Sequence, residues 1–301
     1  MAERTGRSGV LARLRDDLAD AGLRAGLLAR DLRSGREADL DADVLTPAAS
    51  LAKLPLTLAV CTRVADGRLD GAMPVEVPAG DPGEVTPGLG RFRHPARVAV
   101  DDLVGMALTV SDNAAADALL RLVPPEEVSS DLADLGITPM VVRHPFADLS
   151  DTPLDRLPVH EGHLAHTLAI RGSTPARGHP VRQLDVARTN VLTARSAADL
   201  LEVVWTGRGL HPLVAERLRE HLRGNVIRHR LAPDLSSDDA RWASKTGTLL
   251  NLRHEAGVVE HADGARVVVV ALSTSSVPAS VQPAAEAALG AAARAVHDLV
   301  R

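Results

Sequence analysis

The stretch that organises the chain lies around residue 50 and reads Thr46-Pro47-Ala48-Ala49-Ser50-Leu51-Ala52-Lys53-Leu54-Pro55-Leu56. Thr46 is a favoured helix N-cap and Pro47 suits a first helical turn, so the pattern predicts a helix from Thr46 to Ala65. Ser50 and Lys53 would then share one helical face. Pro55 removes a backbone donor and is expected to kink the helix just after Lys53. The sequence therefore predicts that a hydroxyl and an amine meet here.

Lysine is rare in this chain. The sequence has 34 Lys plus Arg residues, of which only Lys53 and Lys245 are lysines. Arg stays protonated in proteins, whereas Lys can lose its proton when it is desolvated or lies near another cation. A codon-biased, Arg-rich genome would explain the scarcity, but not why both lysines stand in motif-like contexts. The two lysines are therefore candidates for chemistry that Arg cannot perform.

Composition and charge narrow the class of protein. The chain has 301 residues, of which 45% are hydrophobic and 24% charged, as is typical of a globular protein with a large core. A net charge of −5, with two Phe, two Trp and no Tyr, argues against a nucleic-acid partner. The single cysteine, Cys61, excludes an intrachain disulfide and is expected to be a small buried apolar residue.

No stretch approaches 18 consecutive apolar residues, and residues 1–9 lead into an amphipathic segment instead of an apolar signal core. We therefore expect no membrane partner and a cytoplasmic location, or a secreted protein if a leader was removed.

Hydrophobic periodicity predicts the order of elements. Residues 66–99 are predicted to be folded-back loop with short strands, and 144–190 the least regular part. Strands at both ends with helices between them predict a sheet-plus-helix lobe from residues 1–44 and 212–301, an inserted helical lobe at 45–211, and a site in the cleft between them. The helices are predicted at 9–22, 101–110, 114–122, 126–135, 193–205, 211–222 and 281–300, and the strands at 23–32, 36–42, 241–249, 253–260 and 265–274.

Three short motifs carry the chemistry, and any one of them alone would be weak. They fall in order on the predicted helix, an interhelix turn and a strand: Ser50-Leu51-Ala52-Lys53, Ser111-Asp112-Asn113 and Lys245-Thr246-Gly247. At these residues the chain resembles the class A serine β-lactamases and the wider penicillin-recognising serine hydrolases. The resemblance extends over nearly the whole chain. It implies an α/β fold of the α+β type, with an antiparallel sheet, flanking helices and an inserted helical lobe.

The residue types suit acyl transfer. A serine hydroxyl is a poor nucleophile until a base takes its proton, and a neutral amine near a second lysine is a suitable base. Ser50 is accordingly the predicted nucleophile and Lys53 its activator. By resemblance, Ser111 would relay a proton to the leaving group, and Asn113 would bind a substrate amide and help to position Lys53. Asp112 is expected to orient its turn.

The third motif implies the substrate. By resemblance, Lys245 and Thr246 would meet a substrate carboxylate, and Gly247 would let the strand edge approach the ligand closely. The backbone N–H groups of Ser50 and Thr248 would form the oxyanion hole. The implied partner is a small molecule with an acyl group and a carboxylate, and no cofactor or metal is implied. The oligomeric state stays open.

One departure from the family pattern has a functional consequence. Class A β-lactamases carry a glutamate in a Glu-x-x-Leu-Asn segment that activates the deacylating water. This chain has no such segment, and alignment puts Phe146 at the glutamate position. The alignment does not choose among the nearby carboxylates, and each is more simply a solvated loop charge: Asp148, Asp151, Asp155 and Glu161. We therefore expect weak or no turnover of β-lactams, with a slow acyl-enzyme or a different ester or amide substrate.

Other interpretations remain open. The residues His160-Glu161-Gly162-His163-Leu164-Ala165-His166 invite a metal-site interpretation, but their spacing differs from the His-Glu-x-x-His of zinc peptidases, so we expect a polar loop or lid. The alternatives in function are a non-catalytic binding protein on the same fold, a D-alanyl-D-alanine peptidase-like enzyme and a true β-lactamase. The absence of Tyr excludes the class C arrangement with a Tyr-x-Asn second motif.

Overall fold

A five-stranded antiparallel sheet is the frame of the molecule, as the computed structural model, which describes residues 2–81, 87–174 and 178–301, shows. Its strands are β1 (Leu23–Asp31), β2 (Glu37–Leu40), β8 (Ala240–Leu249), β9 (Leu252–His261) and β10 (Arg266–Ser275). The strand order is β2-β1-β10-β9-β8, so both ends of the chain contribute to one sheet. This confirms the predicted α+β architecture.

Helices from the two ends of the chain cover one face of the sheet. They are α1 (Ala2–Asp20), α10 (Ala232–Leu235) and α11 (Pro283–Asp298). Their apolar side chains, among them Leu18, Leu235 and Leu289, pack with Leu27, Trp242 and Val267 of the sheet in a core of their own. Alternation along each strand sends every second side chain to this face and the others to the opposite core.

The helical lobe packs on the other face of the sheet. Its helices are α2 (Lys53–Ala65), α3 (Val100–Thr109), α4 (Asn113–Leu120), α5 (Pro125–Asp134), α8 (Ala194–Thr206) and α9 (Pro212–Arg223). The central one is α2, which contacts most of its neighbours, and α8 lies directly against β1 and β10. Cys61 on α2 is 3% exposed within this core, as predicted.

One continuous core joins the helical lobe to the sheet. It runs from Leu58 and Leu103 through Leu201 to Val258 and Val270 of the sheet. The division of the chain at residues 44 and 211 therefore stays a prediction. Across the described ranges, no helix is long and apolar enough to cross a bilayer.

The segment before Ser50 differs from the predicted helix. Thr46–Pro47 forms a short strand, β3, that pairs with β7 (Val191–Leu192), which in turn pairs with β6 (Met140–Val141). A 3-10 helix follows at Ala49–Ala52, and α2 begins only at Lys53. The predicted helix start at Thr46 is therefore wrong, because pairing with a distant strand outweighs the local capping signal. Pro55 lies in the first turn of α2, where a missing N–H is tolerated.

Residues 144–190 are more regular than predicted. They contain 3-10 helices at Phe146–Ser150, Val159–Glu161 and Arg182–Leu184, together with α6 (Pro153–Arg156) and α7 (Gly162–Arg171). A small core under α7, which includes Ala165 and Val181, also contacts Ala49 and Leu250. The expectation of a polar loop at 160–166 is wrong, since His166 is buried within α7. The short strands expected in 66–99 are β4 (Pro74–Val77) and β5 (Ala96–Ala99).

Gly257, in the middle of β9, tests the packing of the sheet. A Cβ at this position would lie 2.2 Å from the Ala243 carbonyl oxygen and 2.8 Å from the Trp242 ring. Gly257→Ala should therefore lower the free energy of unfolding by about 2–3 kcal/mol, measured by urea denaturation. The control is Gly9→Ala on α1, where the nearest atom to a new Cβ is 4.0 Å away. That variant should be as stable as the native protein or more so, and equal stability of both variants would contradict the packing argument.

Candidate active site

A strained turn presents Ser50. Ala49, immediately before it, has φ of +46°, in the left-handed region that residues other than glycine rarely adopt. The 3-10 helix of Ser50 packs against β8 at Gly247, where a Cβ would lie 3.1 Å from the Ala48 carbonyl oxygen and 3.3 Å from Leu51 Cγ. The glycine was predicted to admit a ligand. Because a Cβ at Gly247 would point towards the 3-10 helix that carries Ser50, the glycine also allows this close packing.

Lys53 joins the first motif to the second. The residue is fully buried, and its Nζ lies 3.3 Å from Ser50 Oγ, 2.7 Å from Asn113 Oδ1 and 2.5 Å from the Ser111 carbonyl oxygen. Ser111 Oγ is 3.3 Å from the same nitrogen. The structure therefore brings together four of the predicted site residues around one amine.

The turn between α3 and α4 places Ser111. Its φ of +61° is again left-handed. Asp112 caps α4, because its Oδ1 accepts from the N–H groups of Ala114 and Ala115 at 2.9 and 3.2 Å, and its Oδ2 accepts from Leu89 N–H at 2.6 Å. The prediction that Asp112 orients its turn is confirmed.

Lys245 completes the cluster from β8. It is fully buried, and its Nζ lies 2.8 Å from Ser111 Oγ and 2.8 Å from the Thr246 carbonyl oxygen. The hydroxyl of Ser111 therefore lies between two amines. A continuous row of proton-carrying groups runs from Ser50 through Lys53 and Ser111 to Lys245.

Burial controls the charge on both amines. It lowers the pKa of Lys53 to about 7, against the opposing effect of the Asp112 and Asp117 charges. It lowers the pKa of Lys245 well below its ordinary value, and the positive charges of Lys53 and Arg230 act in the same direction. Neutral amine at Lys53 is therefore accessible near neutral pH, which a solvated lysine would not provide.

Phe146 lies next to Lys53. Its side chain is fully buried, and its ring centroid is 5.1 Å from Lys53 Nζ. Asp117, one turn after Asn113 on α4, holds the segment in place, because its carboxylate accepts from the N–H groups of Phe146 and Ala147 at 2.6 and 2.8 Å. Burial raises the pKa of Asp117. Asp117 was not among the site residues predicted from the sequence, although its position one turn after Asn113 on the same helical face was a usable signal.

The four carboxylates that follow Phe146 have partners elsewhere. Asp151 pairs with Arg156 at 2.6 Å, and Asp155 accepts from the N–H of Thr152 at 3.0 Å in a capping box. Asp148 lies 3.7 Å from Arg182, and Glu161 lies 3.7 Å from His160. All of these partners lie within the 144–190 segment. Of these residues, Phe146 is the one that lies beside Lys53.

Arg230 brings a further cation to the end of β8. This residue was not among those predicted from the sequence. It is 3% exposed, and its guanidinium donates to Thr248 Oγ1 at 2.8 Å and to Glu286 at 3.0 Å. Thr248 itself is exposed. Arg230 comes from the segment between α9 and α10, and no local motif marks it.

The histidine-rich segment does not form a metal cluster in the part of the chain that the structure describes. His163 on α7 is exposed, whereas His166 is buried with its Nε2 3.2 Å from Ser280 Oγ. The two side chains therefore lie in different environments, although they are three residues apart on one helix.

Comparisons with known proteins identify the family of the chain. A family model described as the beta-lactamase enzyme family matches residues 10–300. The chain belongs to the beta-lactamase enzyme family. One relative is the "Beta-lactamase regulatory protein BlaB" of Streptomyces cacaoi, to which the chain is 50% identical over 307 residues, or 97% of each chain.

Solved structures of beta-lactamase-like proteins show the same fold. The acyl-enzyme complex of a PBP-A mutant with penicillin-G aligns with a TM-score of 0.75 and 20% identity, over 97% of this chain and 96% of that one. A beta-lactamase from Chitinophaga pinensis aligns with a TM-score of 0.77 and 19% identity, over 97% of this chain and 100% of that one. At these identities the similarity establishes the class A beta-lactamase fold.

The two lysines allow a direct test of the electrostatics. Protein labelled with ¹³Cε-lysine should give two side-chain signals, and NMR should show that Lys53 titrates near pH 7, whereas a solvated lysine titrates near about 10.4. Asp117→Asn should lower the pKa of Lys53 further, because it removes a charge that favours the ammonium. Titration of both signals above pH 9 would contradict the assignment.

Proposed function

We propose that this protein forms an acyl-enzyme at Ser50 with a small acyl compound that carries a carboxylate, such as a β-lactam, and releases the acyl group slowly. The observation that carries the proposal is the environment of one atom. Lys53 Nζ lies within 3.3 Å of both Ser50 Oγ and Ser111 Oγ, and an aromatic ring occupies the space beside it. These contacts support acylation at Ser50, and Phe146 at the position of the family's glutamate supports slow release.

Acylation follows from the row of proton-carrying groups. Neutral Lys53 takes the proton of Ser50 Oγ, which attacks the substrate carbonyl carbon. A C–O bond forms, and the oxygen that gains negative charge is stabilised by the N–H groups of Ser50 and Thr248. The C–N or C–O bond to the leaving group then breaks. The leaving atom takes the proton of the Ser111 hydroxyl, which is replaced by the proton that Lys53 received.

The substrate carboxylate would bind at the end of β8. Lys245 and Thr246 lie on this strand, and Arg230 approaches it from the side through Thr248. Arg and Lys are the usual partners of carboxylates, and Arg adds a planar fork of donors. Asn113, whose Oδ1 accepts from Lys53, would use its amide N–H₂ for the substrate.

Deacylation needs a base that activates water. Among the residues that the structure describes, no carboxylate hydrogen-bonds to Ser50 Oγ or Lys53 Nζ. A phenyl ring neither accepts a proton nor orders a water through strong hydrogen bonds. Asp117, the nearby buried acid, has its carboxylate occupied by two backbone N–H groups. The adduct at Ser50 should therefore accumulate instead of turning over.

A slow adduct suits a sensor better than a degradative enzyme. The relative BlaB, 50% identical along nearly the whole chain, is described as a beta-lactamase regulatory protein. This likeness supports a second candidate function, a binding protein that uses the same cleft without a covalent step. In both cases the output would be occupancy of the site.

Covalent labelling separates the two candidates. Incubation with a fluorescent penicillin should label the native protein once, with a matching increase in intact mass. Labelling should be lost in Ser50→Ala and kept in Ser34→Ala, a serine in the exposed β1–β2 turn. The labelling rate should rise with pH through about 7, because deprotonation of Lys53 supplies the base. Rapid hydrolysis without an adduct would instead indicate a true β-lactamase, and an unlabelled native protein would favour the binder.

Replacement of Phe146 tests the missing base. Phe146→Glu places a carboxylate beside Lys53, so the penicilloyl adduct should be released about 100-fold faster, in keeping with the usual contribution of general base catalysis. The glutamine of Phe146→Gln has the same size as the glutamate but no proton acceptor of comparable strength, so the adduct of this variant should persist. The measurement is the decay of adduct mass after excess penicillin is removed. Equal adduct lifetimes in the two variants would exclude Phe146 as the cause of slow release.

A further inference from the structure

His254 on β9 connects the two sides of the proposed oxyanion hole. It pairs with Gly247 on β8 and is fully buried. Its Nδ1 lies 3.0 Å from the Ser273 backbone nitrogen, and its Nε2 lies 2.9 Å from the Pro47 carbonyl oxygen. Neither the three motifs nor the acyl-transfer steps above involve this side chain.

The two hydrogen bonds determine the protonation state of the ring. The Ser273 N–H can only donate, so Nδ1 must accept, and the proton of the neutral ring lies on Nε2. That proton is donated to the Pro47 carbonyl oxygen. Burial lowers the pKa of His254 to about 4, so the ring is neutral near pH 7.

The carbonyl of Pro47 belongs to a segment under strain. Ala49, between Pro47 and Ser50, has φ of +46°, a conformation that persists only where the surroundings impose it. Two backbone hydrogen bonds hold Ala48: its N–H donates to Asn190 O at 2.8 Å, and its carbonyl accepts from Leu51 N–H at 3.0 Å. The contact from His254 adds a connection between this segment and the sheet.

The connection has a defined geometric consequence. The proposed oxyanion hole takes one N–H from Ser50, on the 3-10 helix, and the other from Thr248, on β8. Thr248 is held in place by the pairing of β8 with β9, in which it lies opposite Arg253, the neighbour of His254. The His254 side chain thus ties the Ser50 segment to the strand that also positions Thr248. The relative position of the two N–H groups affects the reaction rate, because a displacement of about 1 Å at a reacting group can lower the rate about 100-fold.

We propose that His254 is a positioning residue for acylation, which acts through the Nε2–H hydrogen bond to Pro47 and holds the Ser50 N–H in register with the Thr248 N–H. This inference rests on the proposed function of Ser50 as the acylated nucleophile. A His254 that only filled space in the core would not need this hydrogen bond to Pro47.

Two variants separate positioning from packing. Asparagine at position 254 can keep an acceptor near Nδ1 for Ser273 but is too short to reach Pro47. Glutamine can place an amide N–H near Nε2 for Pro47 but loses the acceptor for Ser273. Both lose one hydrogen bond and ring volume, so His254→Asn and His254→Gln should lower the melting temperature to a similar extent.

Their acylation rates should differ. We expect His254→Asn to form the fluorescent penicilloyl adduct about 10- to 100-fold more slowly than the native protein, and His254→Gln to retain most of the native rate. His297→Gln is the matched control, since His297 is also buried but lies on α11, on the opposite face of the sheet. It should lose stability without a change in acylation rate. Equal rates for the Asn and Gln variants would overturn the positioning role.

A second measurement keeps the test independent of the proposed function. If the native protein is not acylated at Ser50, the proposed function fails. The chemical shifts of the Ala49 and Ser50 backbone amides in ¹H–¹⁵N NMR spectra then test whether His254 positions the Ser50 segment. Changes in His254→Asn that are absent in His254→Gln support the inference. Unchanged amides in both variants, or the same changes in both, overturn it.

Discussion

The burial of the Lys53 amine is the constraint on which the active-site region depends. A charged amine removed from water costs several kcal/mol unless it finds acceptors or loses its proton. Here the chain supplies Asn113 Oδ1 and the Ser111 carbonyl oxygen as acceptors, and burial brings the pKa down to about 7. Helix α2, the turn before α4 and strand β8 must therefore meet at one point.

Two of the four residues other than glycine that have a positive φ in the described parts of the chain lie at the same place. Ala49 and Ser111 both have positive φ, and each adjoins or carries a hydroxyl of the proposed site. Two such residues cost about 1–3 kcal/mol each, which neighbouring structure must offset. The Asp112 cap offsets it at one turn, and the packing of Gly247 against Ala48 offsets it at the other. Strain retained beside reactive groups is the pattern expected where function competes with local propensity.

Sequence patterns predicted those parts of the fold that are encoded locally. Strands β8 to β10 follow from apolar patterning and the Asp263-Gly264 turn, and the motifs of Ser50, Ser111 and Lys245 were found without a structure. The features that were missed depend on residues distant in sequence. Thr46 satisfies a local capping rule but pairs with Leu192, and Arg230 reaches Thr248 through a fold that no spacing reveals. The helices of 144–190 are short, and their stability comes from tertiary packing under α7.

Phe146 bears on both halves of the proposed reaction. A carboxylate beside Lys53 would favour the ammonium form and raise the pKa of the amine, as Asp112 and Asp117 already do from other directions. A phenyl ring instead removes water from around the amine and adds only a weak attraction for its charge. In the proposed reaction, the same side chain would thus favour the neutral amine that acylation requires and leave deacylation without a base. A single aromatic residue would in this way direct a beta-lactamase scaffold towards retention of its ligand.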